Sequence, residues 1–180
     1  AMVKLLNDKW GIKAGFMTTI HAYTGTQMIL DGPRGNKSGR ALRAAAINTI
    51  PHSTGAAKAI GKVVPEVNGK LQGHAQRVQV PDGSITELFT VLEKDATVDE
   101  INAAFKDAFA DCAYYGYNDD EIVSGDIVGD THGGVFDPTQ TDVNTVDGVT
   151  MARTVAFYDN EYGFTSNMVR TLEYFAEISE

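Results

Sequence analysis

The sequence predicts an α+β domain, an antiparallel or mixed β-sheet with helices packed on one face. Three observations point there. Runs rich in β-branched and aromatic residues recur, as in "KAGFMTTIHAYT" and "SITELFTVLE". Other stretches, "TVDEINAAFKDAFA" above all, space their apolar residues for a helix. Asp82-Gly83 and Asp147-Gly148 sit between strand-like runs, where hairpin turns belong. Hairpins interleaved with helices favour α+β over a purely parallel sheet.

"AMVKLLNDKWG" places Val3, Leu6 and Trp10 on one helical face and stops at Gly11. No capping signal precedes Met2, so the chain reads as beginning inside that helix. "KAGFMTTIHAYT" follows as a strand, and 31–52 as a long connection rich in glycine, proline and arginine. Connections of that length inside a compact domain are usually functional or disordered. "STGAAKAIGKVVPEV" predicts a short helix opening at Ser53 or Thr54 and ending before Pro65, and Asn68-Gly69 a turn. "GHAQRVQVP" and "SITELFTVLE" predict strands joined as a hairpin through Asp82-Gly83.

Thr97 and Glu100 form a capping box for the next helix, with Val98, Ile101, Phe105 and Ala108 as its stripe. Residues 114–150 read as β-rich, closing on the Asp147-Gly148 hairpin, and "TMARTVAFYDN" as a further strand. "TSNMVRTLEYFAEIS" predicts a last helix buried through Met168, Leu172, Phe175 and Ala176. With 180 residues and neither repeat nor linker, the chain is expected to be one domain, 1–180.

Composition narrows the function classes. Hydrophobic content of 43% and charged content of 22% are globular values. No apolar run approaches the ~20 residues of a membrane span, and no basic-then-apolar leader opens the chain. One cysteine excludes an internal disulfide and suits a reducing compartment, so a cytoplasmic protein is expected. A net charge of −9 argues against a nucleic-acid partner but leaves room for a small phosphate ester.

Several motifs fail. "GAAKAIGKV" has five residues between Gly55 and Gly61 where a phosphate loop needs four, and Val63 replaces the metal-binding hydroxyl. No Gly-x-Gly-x-x-Gly follows a strand. His21, His52, His74 and His132 show no metal spacing with each other or with Cys112, and "NDDE" lacks a calcium loop's ligand pattern; no metal is expected. Cys112 has no basic neighbour in sequence to lower its pKa and reads as a half-buried thiol.

Other signals admit two readings. "HSTGAAKA" is either a plain helix cap or an anion site where Thr54 and Gly55 meet free backbone N–H groups. Arg77, in mid-strand, is either a surface ion pair or a phosphate ligand. His21 lies in "TTIHAYTGTQ" among Thr18, Thr19, Thr24 and Thr26, as a structural histidine or a general base beside an anion. Arg40 and Arg43 lie in the long connection, and Asn160 in "YDNEYG", which serves equally as a turn.

In their order, "TTIHAYTGTQ", "DGPRG", "IPHSTGAAKAIGKVVPEVNGKLQGHAQRV" and "YDNEYGFTSN" closely resemble the C-terminal catalytic domain of phosphorylating glyceraldehyde-3-phosphate dehydrogenases, over essentially the whole chain. The resemblance implies an NAD- or NADP-dependent enzyme that oxidises glyceraldehyde 3-phosphate, with inorganic phosphate, to 1,3-bisphosphoglycerate through a cysteine thioester. It assigns His21 as base and thiol activator. Thr24 and Arg77 match the pocket for the substrate's C3 phosphate. Thr54 and Gly55 match the pocket for attacking phosphate, with Arg40 nearby. Asn160 matches the residue that contacts the nicotinamide carboxamide.

The nucleophilic cysteine is implied roughly seven residues before Ala1, at a helix N-terminus where the dipole favours thiolate. The dinucleotide-binding domain likewise falls outside the chain, which alone is expected to be inactive and to bind no cofactor. The long connection resembles a loop that packs between subunits of a homotetramer. His74, Gln76, Phe164 and Thr165 depart from the usual methionine, phenylalanine, tyrosine and serine, which touches substrate or cofactor preference rather than reaction class. Two alternatives are a relative acting on erythrose 4-phosphate and a non-catalytic binding or assembly module on the same fold.

Overall fold

The computed structural model describes residues 1–33, 35 and 39–179. Residues 34 and 36–38 of the long connection, including Arg34 of "DGPRG", lie outside the described residues. Helix α1 spans Met2–Trp10 and strand β1 Ile12–Ala22. Strand β2 (Ile50–Ser53), helix α2 (Ala56–Val63), β3 (Leu71–Val78) and β4 (Ser84–Leu92) follow. Helix α3 (Val98–Phe109) precedes β5 (Gly116–Tyr117), β6 (Val135–Phe136), β7 (Asp142–Val146), β8 (Val149–Tyr158) and α4 (Tyr162–Glu177).

The sheet runs β2-β3-β1-β4-β8-β6-β5, with β7 paired to β8. Among the described strand pairs β1–β3 and β5–β6 are parallel and the others antiparallel, so the sheet is mixed and the α+β expectation holds. The expected hairpin between β3 and β4 does not form. Strand β1 lies between them, parallel to β3 and antiparallel to β4. A turn pair makes the chain bend; it does not decide pairing when an earlier strand offers two open edges. Asp147-Gly148 does close a hairpin, at φ 50° and 72°, joining β7 to β8.

The larger of two cores lies between sheet and helices, with Leu6, Ile12, Leu88, Leu92, Ile101 and Phe105 almost fully buried; the smaller gathers Ile127, Val135, Val155 and Phe157. The capping box of α3 is present as expected: Thr97 Oγ1 accepts from Glu100 N–H and Glu100 returns the bond to Thr97 N–H. Strand β2 is a correction to the loop-then-helix expectation. Its four residues are too few for a period, and Pro51 reads as loop though an edge strand tolerates it. Helix α2 therefore opens later than Ser53 or Thr54.

Residues 114–150 correct the β-rich expectation: most are irregular, turn or short 3-10 helix, with β5 and β6 only two residues each and longer pairing only at the β7–β8 hairpin. Helix α4 corrects the expectation of burial: Met168, Leu172 and Phe175 are 47%, 61% and 56% exposed, and Ala176 is exposed. Its apolar stripe has the right period, but no described element covers it. No described helix is long and apolar enough to cross a membrane.

Candidate functional site

Sheet register builds the site. His21 on β1 stands beside Arg77 on β3, and Thr19 beside both Ala75 and, across on β4, Thr86. Alternation sends Met17, Thr19 and His21 to the same face that carries the core. Where the helices end, that face opens into a cavity of about 430 Å³. Its lining brings together His21, Arg77, Thr54, His52, Thr86 and Tyr158.

Arg77 is the hub. Its Nη1 donates to the Ala22 carbonyl at 2.9 Å, lies 2.9 Å from His21 Nδ1, and reaches Thr24 Oγ1 at 3.4 Å. Its Nε is buried without a partner, and no carboxylate pairs with it among the described residues. Burial pulls the guanidinium below its ordinary value, with Tyr158 opposing. A part-buried cation lacking a counter-charge favours an anion.

His21 Nδ1 also lies 2.8 Å from the Ala22 carbonyl. With Nδ1–H donating there, the Nη1 hydrogens go to Ala22 O and Thr24 Oγ1, and Nε2 is left with its lone pair. Burial pulls the His21 imidazole below its ordinary value; Arg77 and His52 push the same way, and the Ala22 carbonyl and Asp82 oppose them. A neutral imidazole at neutral pH follows, as a proton acceptor requires.

Thr54 precedes α2, and its Oγ1 accepts from Ala56 N–H at 3.2 Å. Gly55 is the N-cap, with no side-chain cap bond, and a Cβ built on it meets nothing within 4 Å. The approach to the helix start is therefore open. Arg40 stands apart: it is exposed and lines a neighbouring cavity of about 830 Å³ with His52, Ser53 and His74. The two cavities share His52, Ser53 and Ala75 but not Arg40.

Asn160 lies just past β8. Ser84 Oγ donates to its Oδ1, its N–H donates to Asp82 Oδ1 at 3.3 Å, and its Nδ2 is buried without a partner. Cys112 lines a different cavity, with Lys106, Tyr117 and His132, so His21 has no thiol beside it within this chain.

Sequence reasoning misses Thr86, His52 and Tyr158. Thr86 and Tyr158 were findable once β4 was paired to β1 and β8 to β4, because alternation places them on the cavity face. The Tyr158 ring meets His21 edge-on at 6.0 Å. Burial pushes its phenol up, against the pull of Ser84 and Arg77. Asp82, Asp159 and Glu161 also bring carboxylate oxygens within 4.8 Å of one another. Asp159 commits its oxygens to the N–H groups of Gly129, Glu161 and Tyr162, the work of a turn cap.

Comparison with known proteins adds the family. A family model described as glyceraldehyde 3-phosphate dehydrogenase, C-terminal domain, matches residues 1–160. The chain is 58% identical over 179 residues to the glyceraldehyde-3-phosphate dehydrogenase of Clostridium pasteurianum, covering 99% of this chain and 53% of that protein. The enzymes of Streptococcus pyogenes serotype M1 and Streptococcus dysgalactiae subsp. equisimilis match with the same identity and coverage. The chain thus spans about half the length of the curated relatives it matches.

Proposed function

This chain belongs to the glyceraldehyde 3-phosphate dehydrogenase C-terminal domain family, and from that premise we propose that it is the catalytic half of an NAD- or NADP-dependent phosphorylating dehydrogenase acting in glycolysis. The observation that carries this reading is the convergence of His21, Arg77 and Thr54 on one cavity, with Arg77 bridging to Thr24.

The thiolate that attacks the aldehyde carbonyl comes from the segment the resemblance sets ahead of residue 1. Arg77 and Thr24 hold the C3 phosphate of glyceraldehyde 3-phosphate, which fixes the carbonyl for attack. His21 Nε2 takes the proton from the hemithioacetal hydroxyl as hydride departs from carbon, leaving a thioester. Inorganic phosphate, held at Thr54 and the Gly55 helix start, then adds to that thioester; the thiolate leaves and 1,3-bisphosphoglycerate forms. Arg40, one cavity away, adds positive charge along the phosphate approach. The nicotinamide cofactor supplies the hydride acceptor when bound. Asn160 fits it, because its unpaired Nδ2 is a donor suited to a carboxamide oxygen; the shielding of that atom means a neighbouring group shifts on binding.

The assembled enzyme is a cytoplasmic homotetramer in this reading. Exposed Ile29, Leu30 and Ile47 around the long connection support a subunit contact there. The isolated chain, with its only thiol in another cavity, is inactive and holds no cofactor. The test is NADH formation from glyceraldehyde 3-phosphate. Turnover by the purified 180-residue chain would refute the inactivity. Phosphate-dependent turnover by the full-length protein is expected, and its absence in folded protein would refute the assignment.

A further inference from the structure

The Asp82-Gly83 pair joins no hairpin; it delivers Ser84 to residue 160. Ser84 opens β4 and is completely buried. Its Oγ accepts the Ala22 N–H at 3.1 Å and donates to Asn160 Oδ1. Asp82 Oδ1 accepts both the Gly83 N–H at 2.7 Å and the Asn160 N–H at 3.3 Å. The turn therefore grips Asn160 by main chain and side chain together. Gly83 makes this possible: its φ is +82°, and a Cβ there would lie 2.0 Å from the Ser124 carbonyl oxygen.

We propose that Ser84 is the positioning residue of the Asn160 amide, holding Oδ1 so that the unpartnered Nδ2 is the end left to donate to a nicotinamide carboxamide once the group shielding it shifts. The two ends of a side-chain amide are nearly equal in size, so hydrogen bonding alone decides which way it faces. Ser84 has one hydroxyl hydrogen and two lone pairs. Ala22 N–H occupies one lone pair, the hydrogen goes to Asn160 Oδ1, and the Tyr158 phenol beside the hydroxyl is left the second lone pair. An inverted amide would set donor against donor until that hydroxyl found another acceptor.

The other end of the same contact is equally informative. The Ala22 carbonyl lies against His21 Nδ1 and Arg77 Nη1. One buried hydroxyl thus ties the strand carrying the base to the residue carrying the amide, setting the spacing between proton acceptor and cofactor contact. This inference rests on the role of Asn160 given under the proposed function.

The test uses the full-length protein that carries this chain. Ser84→Ala is expected to weaken NADH binding, read by fluorescence titration, about tenfold, the worth of one hydrogen bond. Ser84→Cys, close in volume and a poor donor, should shift affinity the same way and serves if the alanine variant fails to fold. A merely structural role would lower thermal stability and leave the NADH Kd unmoved, which overturns the proposal. Asn160→Ala supplies the reference. In its background Ser84→Ala should change the NADH Kd no further. Full additivity of the two changes overturns the positioning role and leaves the Asn160 reading standing. An Asn160→Ala variant with unaltered NADH affinity overturns that reading, and the inference with it.

Discussion

Replacing Arg77 by alanine in the full-length enzyme separates phosphate recognition from everything else the site does. The guanidinium has no carboxylate partner among the described residues, its Nε is unpaired, and only Nη1 is engaged, with Ala22 O and Thr24 Oγ1. Its free donors are therefore available to an anion. One charge-assisted hydrogen bond to phosphate is worth about 1.5–3 kcal/mol, so about 10- to 150-fold in affinity. The assay compares kcat/KM for glyceraldehyde 3-phosphate and unphosphorylated glyceraldehyde at one fixed inorganic phosphate concentration. The ratio of the two should fall by about 10- to 150-fold, because only the first aldehyde loses a contact. Arg77 also holds the His21 pKa down, so the acidic limb of the rate profile should move to higher pH. Equal losses for both aldehydes would refute the reasoning, since Arg77 would then be acting on the fold or on His21 alone.

His21→Asn should lower kcat by about 10²- to 10⁴-fold in the full-length enzyme, the usual worth of a general base, with circular dichroism unchanged. The same substitution has a pH signature. His21 titrates below its ordinary 6.5 in the folded chain, so the unfolded state binds more protons there. Its contribution is full above 6.5 and is lost as pH falls toward the folded value; urea titrations of His21→Asn should lack that decline. Phe105→Ala should cost about 3–5 kcal/mol by chemical denaturation, because the ring is fully buried and stacked on Phe136 with centroids 4.0 Å apart. Gly148→Ala should cost about 1 kcal/mol, read as a lower Tm, through φ strain at 72° alone, since a Cβ there meets nothing within 4 Å.

Local chemistry was the legible part of this fold. Thr97 and Glu100 announce α3, Gly11 stops α1, and Asp147-Gly148 closes its hairpin, because each signal acts within a few residues. Pairing was not legible at Asp82-Gly83, since β1 entered between β3 and β4 through hydrogen bonds across more than fifty residues. The period of α4 was visible, but period says that a stripe exists and nothing about what covers it. Motif order pointed to His21, Arg77 and Thr54, which line one cavity, and to Asn160, which is not among its lining residues. What register alone reveals is that His21 and Arg77 are direct neighbours, and that Thr86 and Tyr158 share their face. Ser84 carried no motif; only the placement of Ala22 and Asn160 around it shows its use.

The most direct test of the account is a phosphate titration of the isotope-labelled chain followed by amide NMR. The cavity is expected to hold phosphate at the start of α2 and at Arg77, so signals of Thr54, Gly55, Ala56 and Arg77 should shift together and saturate. Saturable shifts elsewhere with those four unmoved, or no saturable shift at all, would contradict it.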